Sequence, residues 1–309
     1  MKIAIFGSGG VGGYFGGRLA LAAQDVTFVA RGAHLAGIKE SGLRVDSIGG
    51  DFVVHPAKAT DSPKSIGRSD LVILATKAWQ LDSAIEQMKS LVGEVTMILP
   101  LLNGMEHMDT LLTFFDRKNV LGGLCRISAF VASSGYIRHV GVPPFIAFGE
   151  LDNSKSARVD SLKEIFSTLK GITVDTPADI NTAMWEKFIF ISGTSGIGAY
   201  TGQTIGEFRT NPETRNMLFN AMNETAAVAR ARGAALSESF VSDTMSRIDT
   251  IQPHIIASMQ KDIMEGRPSE LNEQTGAVIR MGRTAGIPTP THEAIYAKLL
   301  PLENKARGL

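Results

Sequence analysis

Cysteine is almost absent from this chain, with Cys125 as the only one among 309 residues. A single cysteine excludes an internal disulfide and any zinc site built from several thiolates of one chain. The six histidines lack metal-site spacing, and no apolar run reaches about 18 residues, so we expect neither a metal centre nor a membrane span. The first ten residues reach glycine too early for a signal peptide, which favours a cytoplasmic protein.

An excess of either charge is also missing. Lys plus Arg and Asp plus Glu both number 31, so the formal net charge is zero. Such a balance gives no long-range attraction to nucleic acid or to an acidic membrane, and we expect neither partner. Any anion must therefore be bound by local groups.

Residues 1–150 alternate short apolar runs with segments of helical periodicity. The runs predict strands at residues 2–6, 25–30, 70–76, 96–101 and 120–122, with helices at 10–23 and 80–91 between them. Continuous apolar strands separated by helices are typical of a parallel sheet covered on both faces. Residues 123–150 predict antiparallel strands closing the far edge of that sheet, and a helix at 154–169 and a short strand at 173–176 follow.

After Pro177 the strand signals stop, and only helical periodicity continues. The predicted helices cover residues 179–192, 212–232, 239–251, 253–265 and 269–285. We therefore predict an α/β protein with an N-terminal Rossmann-type doubly wound sheet in residues 1–177. An all-helical C-terminal domain would occupy residues 178–309. A glycine-rich stretch at 193–198 has no strand before it, so it indicates close helix packing or a helix break.

A glycine loop follows the first predicted strand and fits the pattern G-x-G-x-x-G. Its residues are Gly7, Ser8, Gly9, Gly10, Val11 and Gly12. The first glycine permits a tight turn, the second allows a pyrophosphate to approach the backbone, and the third allows helix and strand to pack closely. Phosphates would bind the free N–H groups of the helix. The alternative is a glycine-rich turn without a ligand.

Polar side chains follow three further strands. Arg31 stands after the second strand, where an NAD-binding protein has an acidic residue; a guanidinium there can pair with a 2′-phosphate and favours NADP. Lys77 and Asn103 follow the next two strands, where an open α/β sheet binds ligands. The alternatives are an exposed loop arginine and an ordinary Asn-Gly turn.

Two charged residues of the helical region are candidates for proton transfer. Lys187 shares a helix face with Ile180, Met184 and Ile191, and a lysine within an apolar stripe is suited to general acid–base chemistry. It could equally extend from the edge of that stripe into solvent. Glu270 falls in the first turn of a predicted helix, where an acid is favourable without any function.

Taken together, these residues resemble the ketopantoate reductase family. The similarity runs from the glycine loop and Arg31 through Thr76-Lys77-Ala78-Trp79-Gln80 and Asn103-Gly104-Met105. It continues through Ser128-Ala129, His139-Val140-Gly141, Trp185-x-Lys187-Phe188, Ser258-Met259 with Asp262, and Ser269-Glu270.

The resemblance implies an enzyme that uses NADPH to reduce a small 2-keto acid, most simply 2-dehydropantoate. Lys187 would be the general acid, and Glu270 would orient Lys187 and the substrate. The implied cofactor residues are the glycine loop, Arg31, Lys77, Asn103 and Ala129. The implied substrate residues are Asn103, Lys187, Ser195, Ser258 and Glu270. Helical second domains of this kind often form homodimers.

The chain departs from the family pattern at three positions. Ile191 and Ser195 stand where the family usually has asparagines that bind the substrate, and Asn272 replaces an acid. A site that loses amides should discriminate less for a substrate hydroxyl. Two alternatives therefore stay open: a reductase of the same superfamily for a more apolar 2-keto acid, and a non-catalytic NADP-binding redox sensor.

Overall fold

The computed structural model describes all residues, 1–309, and divides them into two compact units. The first contains Met1–Leu102 and His107–Ile180, and the second contains Asn103–Glu106 and Asn181–Leu309. The boundary predicted between residues 177 and 178 stays a prediction.

The first unit contains all the strands of the protein. They are β1 (Lys2–Phe6), β2 (Asp25–Val29), β3 (Leu43–Ser47), β4 (Phe52–Val54), β5 (Lys58–Thr60), β6 (Leu71–Leu74), β7 (Met97–Pro100), β8 (Leu121–Ser133), β9 (Tyr136–Glu150) and β10 (Thr173–Asp175). The first five α-helices are α1 (Gly10–Leu21), α2 (Gly32–Ser41), α3 (Leu81–Met88), α4 (Glu106–Phe114) and α5 (Ala157–Ser167).

Five of these strands form a parallel sheet in the order β5-β2-β1-β6-β7. Its strands β1, β6 and β7 are almost wholly buried, which accounts for their continuous apolar sequences. The strand order reverses at β1, and in such sheets the carboxyl ends of the strands at that point bind the ligand. The predicted Rossmann-type sheet is confirmed.

A second sheet has the order β10-β9-β3-β4, with β8 paired antiparallel to β9. The antiparallel strands predicted at residues 123–150 are therefore present, but they form one long hairpin. This hairpin is part of the second sheet and does not extend the first. At the edge of the first sheet, Ile98 of β7 forms a single parallel bridge with Val120. Five elements of the first unit were not predicted from the sequence, namely β3, β4, β5, α2 and α4, because their sequences are short or weakly periodic.

The second unit is helical, as predicted. Its helices are α6 (Ile180–Thr201), whose first residue belongs to the first unit, α7 (Ile205–Thr210), α8 (Pro212–Ala231), α9 (Phe240–Asp249), α10 (Ser258–Met264), α11 (Ala277–Ala285) and α12 (Pro290–Arg307). A π-helix at Asn272–Gly276 leads directly into α11. The helix predicted at 253–265 shortens to α10. None of the helices combines the length and hydropathy that crossing a membrane requires.

The glycine-rich stretch at 193–198 lies within α6 and does not break it. A Cβ atom on Gly193 would lie 2.9 Å from the Cγ of Met222, and one on Gly198 would overlap the side chain of Gln260. Glycine therefore allows α8 and α10 to approach α6 closely. Of the two interpretations left open by the sequence, close packing is correct, and the helix continues to Thr201.

The carboxylate of Glu224 fixes the start of α12. Both oxygens of Glu224 accept hydrogen bonds there, from the backbone N–H of Thr291 at 2.7 Å and from His292 Nδ1 at 2.8 Å. Burial works against the charged form of Glu224, but the hydrogen bonds from His292 and Thr291 outweigh it and lower the pKa of the carboxyl. The carboxylate thus caps the helix in its ionised form.

Candidate active site

The glycine loop lies between β1 and α1, as the sequence predicts. Gly7 has a φ of +97°, and a Cβ on it would lie 2.8 Å from the backbone of Ala75 and Thr76. A Cβ on Gly12 would overlap the carbonyl oxygen of Gly7, whereas nothing lies within 4 Å of the corresponding position on Gly9. No side chain caps the N-terminus of α1. The loop thus offers open space beside free N–H groups, which fits a pyrophosphate.

Two other segments of the first unit hold this loop in place. A Cβ on Gly10 would overlap the carbonyl of Ala129 in β8, so the predicted cofactor residue Ala129 lies against the loop. On the other side, His34 Nε2 lies 2.9 Å from the carbonyl oxygen of Ser8, and its Nδ1 accepts from the N–H of Gly135 at 3.1 Å. The proton must therefore be on Nε2. His34 could not be predicted from the sequence, because it belongs to no recognisable motif.

Arg31 and Lys77 occupy the strand ends where they were expected. Arg31 is exposed at the N-terminus of α2 and donates from Nη2 to Gln87 Oε1 at 2.7 Å. Lys77 is half-buried just after β6, and the preceding Thr76 has a buried hydroxyl without a hydrogen-bond partner. Together with the glycine loop, these groups fit a nicotinamide dinucleotide.

In the second unit, the structure brings Asn103 and Glu270 together across 167 positions of sequence. Asn103 Nδ2 donates to Glu270 Oε2 at 3.1 Å, and Gln274 Nε2 donates to the same oxygen at 3.3 Å. Glu270 is only 3% exposed. One carboxylate oxygen is therefore fixed by two amides.

The backbone beside Glu270 is held by a second buried carboxylate. Glu303 accepts from the N–H of Ser269 at 3.0 Å and from its hydroxyl at 2.5 Å. Arg307 donates to Glu303 at 2.6 Å and to the carbonyl of Ser269 at 2.9 Å. Because Ser269 is the immediate neighbour of Glu270, this network fixes where the Glu270 side chain begins.

Arg280 joins the Asn103–Glu106 segment to the π-helix. It donates to both carboxylate oxygens of Glu106, at 3.0 and 2.5 Å, and to Asn272 Oδ1 at 2.8 Å. The acid that the family resemblance leads us to expect at position 272 is absent, and Glu106 supplies a carboxylate to Arg280. Beside it, burial raises the pKa of Glu273, although Asn272 donates a hydrogen bond to it.

The remaining predicted residues lie on α6 and α10. Lys187 is half-buried, and its role as a general acid oriented by Glu270 stays a prediction. Ile191 is half-buried and Ser195 almost fully buried. Ser258 is exposed at the start of α10, and no hydrogen bond connects it with Asn103 or Glu270.

Three residues around Glu270 and the glycine loop were missed by the sequence analysis: Gln274, Glu303 and His34. Gln274 lies four residues after Glu270, and this helical spacing could have indicated it. Glu303 and His34 act from distant segments, so no local signal was available.

A Rossmann-type sheet with a glycine loop that fits a phosphate, in a chain that also has a helical unit with an Asn–Glu pair, is typical of nicotinamide-dependent oxidoreductases. The chain matches the family described as Ketopantoate reductase PanE/ApbA over residues 3–153, and the description Ketopantoate reductase PanE/ApbA C terminal over residues 179–303. It therefore belongs to the ketopantoate reductase family and is an NAD(P)-dependent oxidoreductase of 2-keto acids.

Individual relatives differ in what they are called. An uncharacterized oxidoreductase, YkpB of Bacillus subtilis (strain 168), is 30% identical over 97% of this chain and 98% of its own length. The crystal structure of 2-dehydropantoate 2-reductase from Geobacter metallireducens GS-15 is 30% identical, with a TM-score of 0.90 over 97% of this chain and 99% of that one. A D-mandelate dehydrogenase complex with NADH is 25% identical, with a TM-score of 0.86 over 98% and 99%.

Proposed function

We propose that this protein uses NADPH to reduce 2-dehydropantoate to pantoate. The observation that carries the proposal is the hydrogen bond from half-buried Asn103 to buried Glu270 in a chain of this family. A carboxylate fixed by two amides is preorganised, so it can orient a substrate without rearranging when the reaction occurs. The glycine loop in the first unit supplies the phosphate site.

The choice of NADPH over NADH rests on Arg31. The position after β2 has no acidic side chain to accept from the ribose hydroxyls, and the exposed guanidinium of Arg31 is available to pair with a 2′-phosphate. Lys77 would bind the same end of the cofactor. The structure of the D-mandelate dehydrogenase relative is a complex with NADH.

Lys187 would act as the general acid. A nicotinamide held by the glycine loop, Arg31 and Lys77 would supply the hydride that reduces the keto carbon. Lys187 would donate a proton to the oxygen of that carbonyl. Glu270 and Asn103 would hold the substrate for this proton transfer. Ser195 and Ser258 would bind its polar groups, and Asn103 would also contact the nicotinamide.

A more apolar 2-keto acid is the second candidate substrate. It is favoured by the half-buried Ile191, which offers an apolar side chain where the family resemblance leads us to expect an amide. One structural relative is named for mandelate, which is the 2-hydroxy acid formed when an aromatic 2-keto acid is reduced. The expected cytoplasmic location and homodimer also stay predictions.

The test is NADPH oxidation by the purified protein with 2-dehydropantoate and with a panel of aliphatic and aromatic 2-keto acids. The proposal predicts the highest kcat/KM for 2-dehydropantoate. Lys187→Ala should abolish turnover but keep NADPH affinity, whereas Lys163→Ala, an exposed lysine of the first unit, should change neither. A higher kcat/KM for an apolar acid would reject 2-dehydropantoate, and turnover by Lys187→Ala would reject the general acid.

A further inference from the structure

Gln274 contacts the candidate active site through only one end of its side-chain amide. The residue is 1% exposed, and its Nε2 donates to Glu270 Oε2 at 3.3 Å. A carboxylate oxygen accepts hydrogen bonds, so the nitrogen of the amide must face Glu270. This fixes the orientation of the amide, and its oxygen can only be an acceptor.

That oxygen, Gln274 Oε1, is buried and has no hydrogen-bond partner. Buried polar atoms almost always have a partner, and an acceptor without one is unfavourable. Since Oε1 belongs to the same planar amide as Nε2, it lies beside Glu270. The structure thus places an unused acceptor next to the carboxylate that would orient the substrate.

The backbone around Gln274 is unusual as well. Gln274 lies in the π-helix Asn272–Gly276, and single π-helical turns occur frequently at functional sites. Arg280 holds this turn by donating to the side chain and the carbonyl of Asn272, at 2.8 and 2.9 Å. The amide of Gln274 is therefore presented from a restrained turn.

Nearby polar groups on the second unit do not supply the missing donor. The side chain of Asn103 is directed to Glu270, and Ile191 offers no donor. Thr275 also has a buried hydroxyl without a partner, so it does not donate to Gln274. That hydroxyl lies next to Gly196, where a Cβ atom on Gly196 would be 3.9 Å from Thr275 Oγ1. None of these groups donates to Gln274 Oε1, so this acceptor is left to a bound molecule.

We propose that Gln274 selects 2-keto acids that carry a hydroxyl group, by accepting a hydrogen bond from that hydroxyl at Oε1 while Nε2 holds Glu270. This inference rests on the proposed function and deepens it, because it names the chemical group that distinguishes the substrate. Gln274 would thus supply the hydrogen-bonding group that the apolar side chain of Ile191 cannot supply. The hydrogen bond at Gln274 Oε1 would make the enzyme favour a hydroxylated 2-keto acid over an apolar one.

Two substrates that differ by one hydroxyl test this role. They are 2-dehydropantoate and 3,3-dimethyl-2-oxobutanoate, which lacks only the 4-hydroxyl. The quantity to measure is the ratio of their kcat/KM values with NADPH, in the wild type and in Gln274→Met. Any loss from a displaced Glu270 affects both substrates and cancels in the ratio. We expect the preference for the hydroxylated acid to fall about tenfold in the variant.

Gln260→Met is the matched control. Gln260 is also 1% exposed in the second unit, and its Nε2 donates to the carbonyl of Gln203 at 2.7 Å. Its replacement should leave the substrate ratio unchanged. If circular dichroism shows that Gln274→Met does not fold, Gln274→Asn withdraws the oxygen by one methylene and should lower the ratio too.

The possible results distinguish failure of the proposed function from failure of the role of Gln274. A wild type that reduces neither acid contradicts the proposed function. Reduction of both acids with the same ratio in wild type and Gln274→Met leaves the function standing and overturns the role of Gln274, since the donor to Oε1 is then water or the protein. A wild-type preference for the acid without the hydroxyl overturns it as well.

Discussion

Replacing Glu303 with alanine should destabilise the second unit strongly. The carboxylate is 3% exposed and accepts from the N–H and the hydroxyl of Ser269 and from Arg307. Breaking a buried ion pair costs about 3–5 kcal/mol. The Arg307 side chain is 24% exposed and keeps part of its hydration, so we expect about 3 kcal/mol here.

A loss of this size corresponds to a fall in Tm of about 6–12 °C, at about 2–4 °C per kcal/mol for a protein of this size. Differential scanning calorimetry measures it. Glu303→Gln keeps the volume and one acceptor and should lose less. Glu293→Ala, at an exposed glutamate in the first turn of the same helix, should change Tm by about 2 °C at most. A fall as small as this in Glu303→Ala would show that the network does not hold the segment before Glu270.

Three further predictions concern Arg31, the glycine loop and the ionisation of Glu273. Arg31→Ala should raise the KM for NADPH about tenfold and leave that for NADH within about twofold, because only NADPH has the 2′-phosphate; steady-state kinetics with both cofactors check this, and equal losses contradict it. Gly12→Ala should abolish NADPH binding in a fluorescence titration, because its Cβ would overlap the carbonyl of Gly7; wild-type affinity would refute this packing argument. Burial raises the pKa of Glu273 above its ordinary value of 4.5, so its contribution to stability is fully present below that value and is lost as the pH rises through the raised pKa. Glu273→Gln should therefore have a higher Tm than the wild type at pH 7, with the difference shrinking toward pH 4, and a constant difference across this range would contradict the assignment.

The sequence predicted those parts of the fold that depend on local pattern. The buried strands β1, β6 and β7 have continuous apolar sequences, and the glycine loop has fixed spacing, so both could be recognised without a structure. The short strands β4 and β5 could not, because three residues carry no measurable period. The length of α6 was underestimated because glycines usually weaken helices, whereas here they allow close packing against Met222 and Gln260.

The candidate site shows the same division. Asn103 and Glu270 were each indicated by family motifs, but their contact could not be predicted, since it joins segments 167 residues apart. The pairing of Arg280 with Glu106 was likewise hidden, because the two residues are 174 positions apart. Periodicity predicted that Lys187 shares a helix face with apolar residues but left its burial open, and the structure shows it half-buried on α6.

Transfer of a nicotinamide hydride to a 2-keto acid is the central claim, and isotope labelling tests it most directly. The protein would be incubated with 2-dehydropantoate and NADPH carrying deuterium at the transferred position of the nicotinamide, and the product examined by NMR. The account predicts pantoate with deuterium at C2 in the wild type, and no labelled pantoate with Lys187→Ala. Unlabelled product, or labelled product at the wild-type rate from Lys187→Ala, would contradict it.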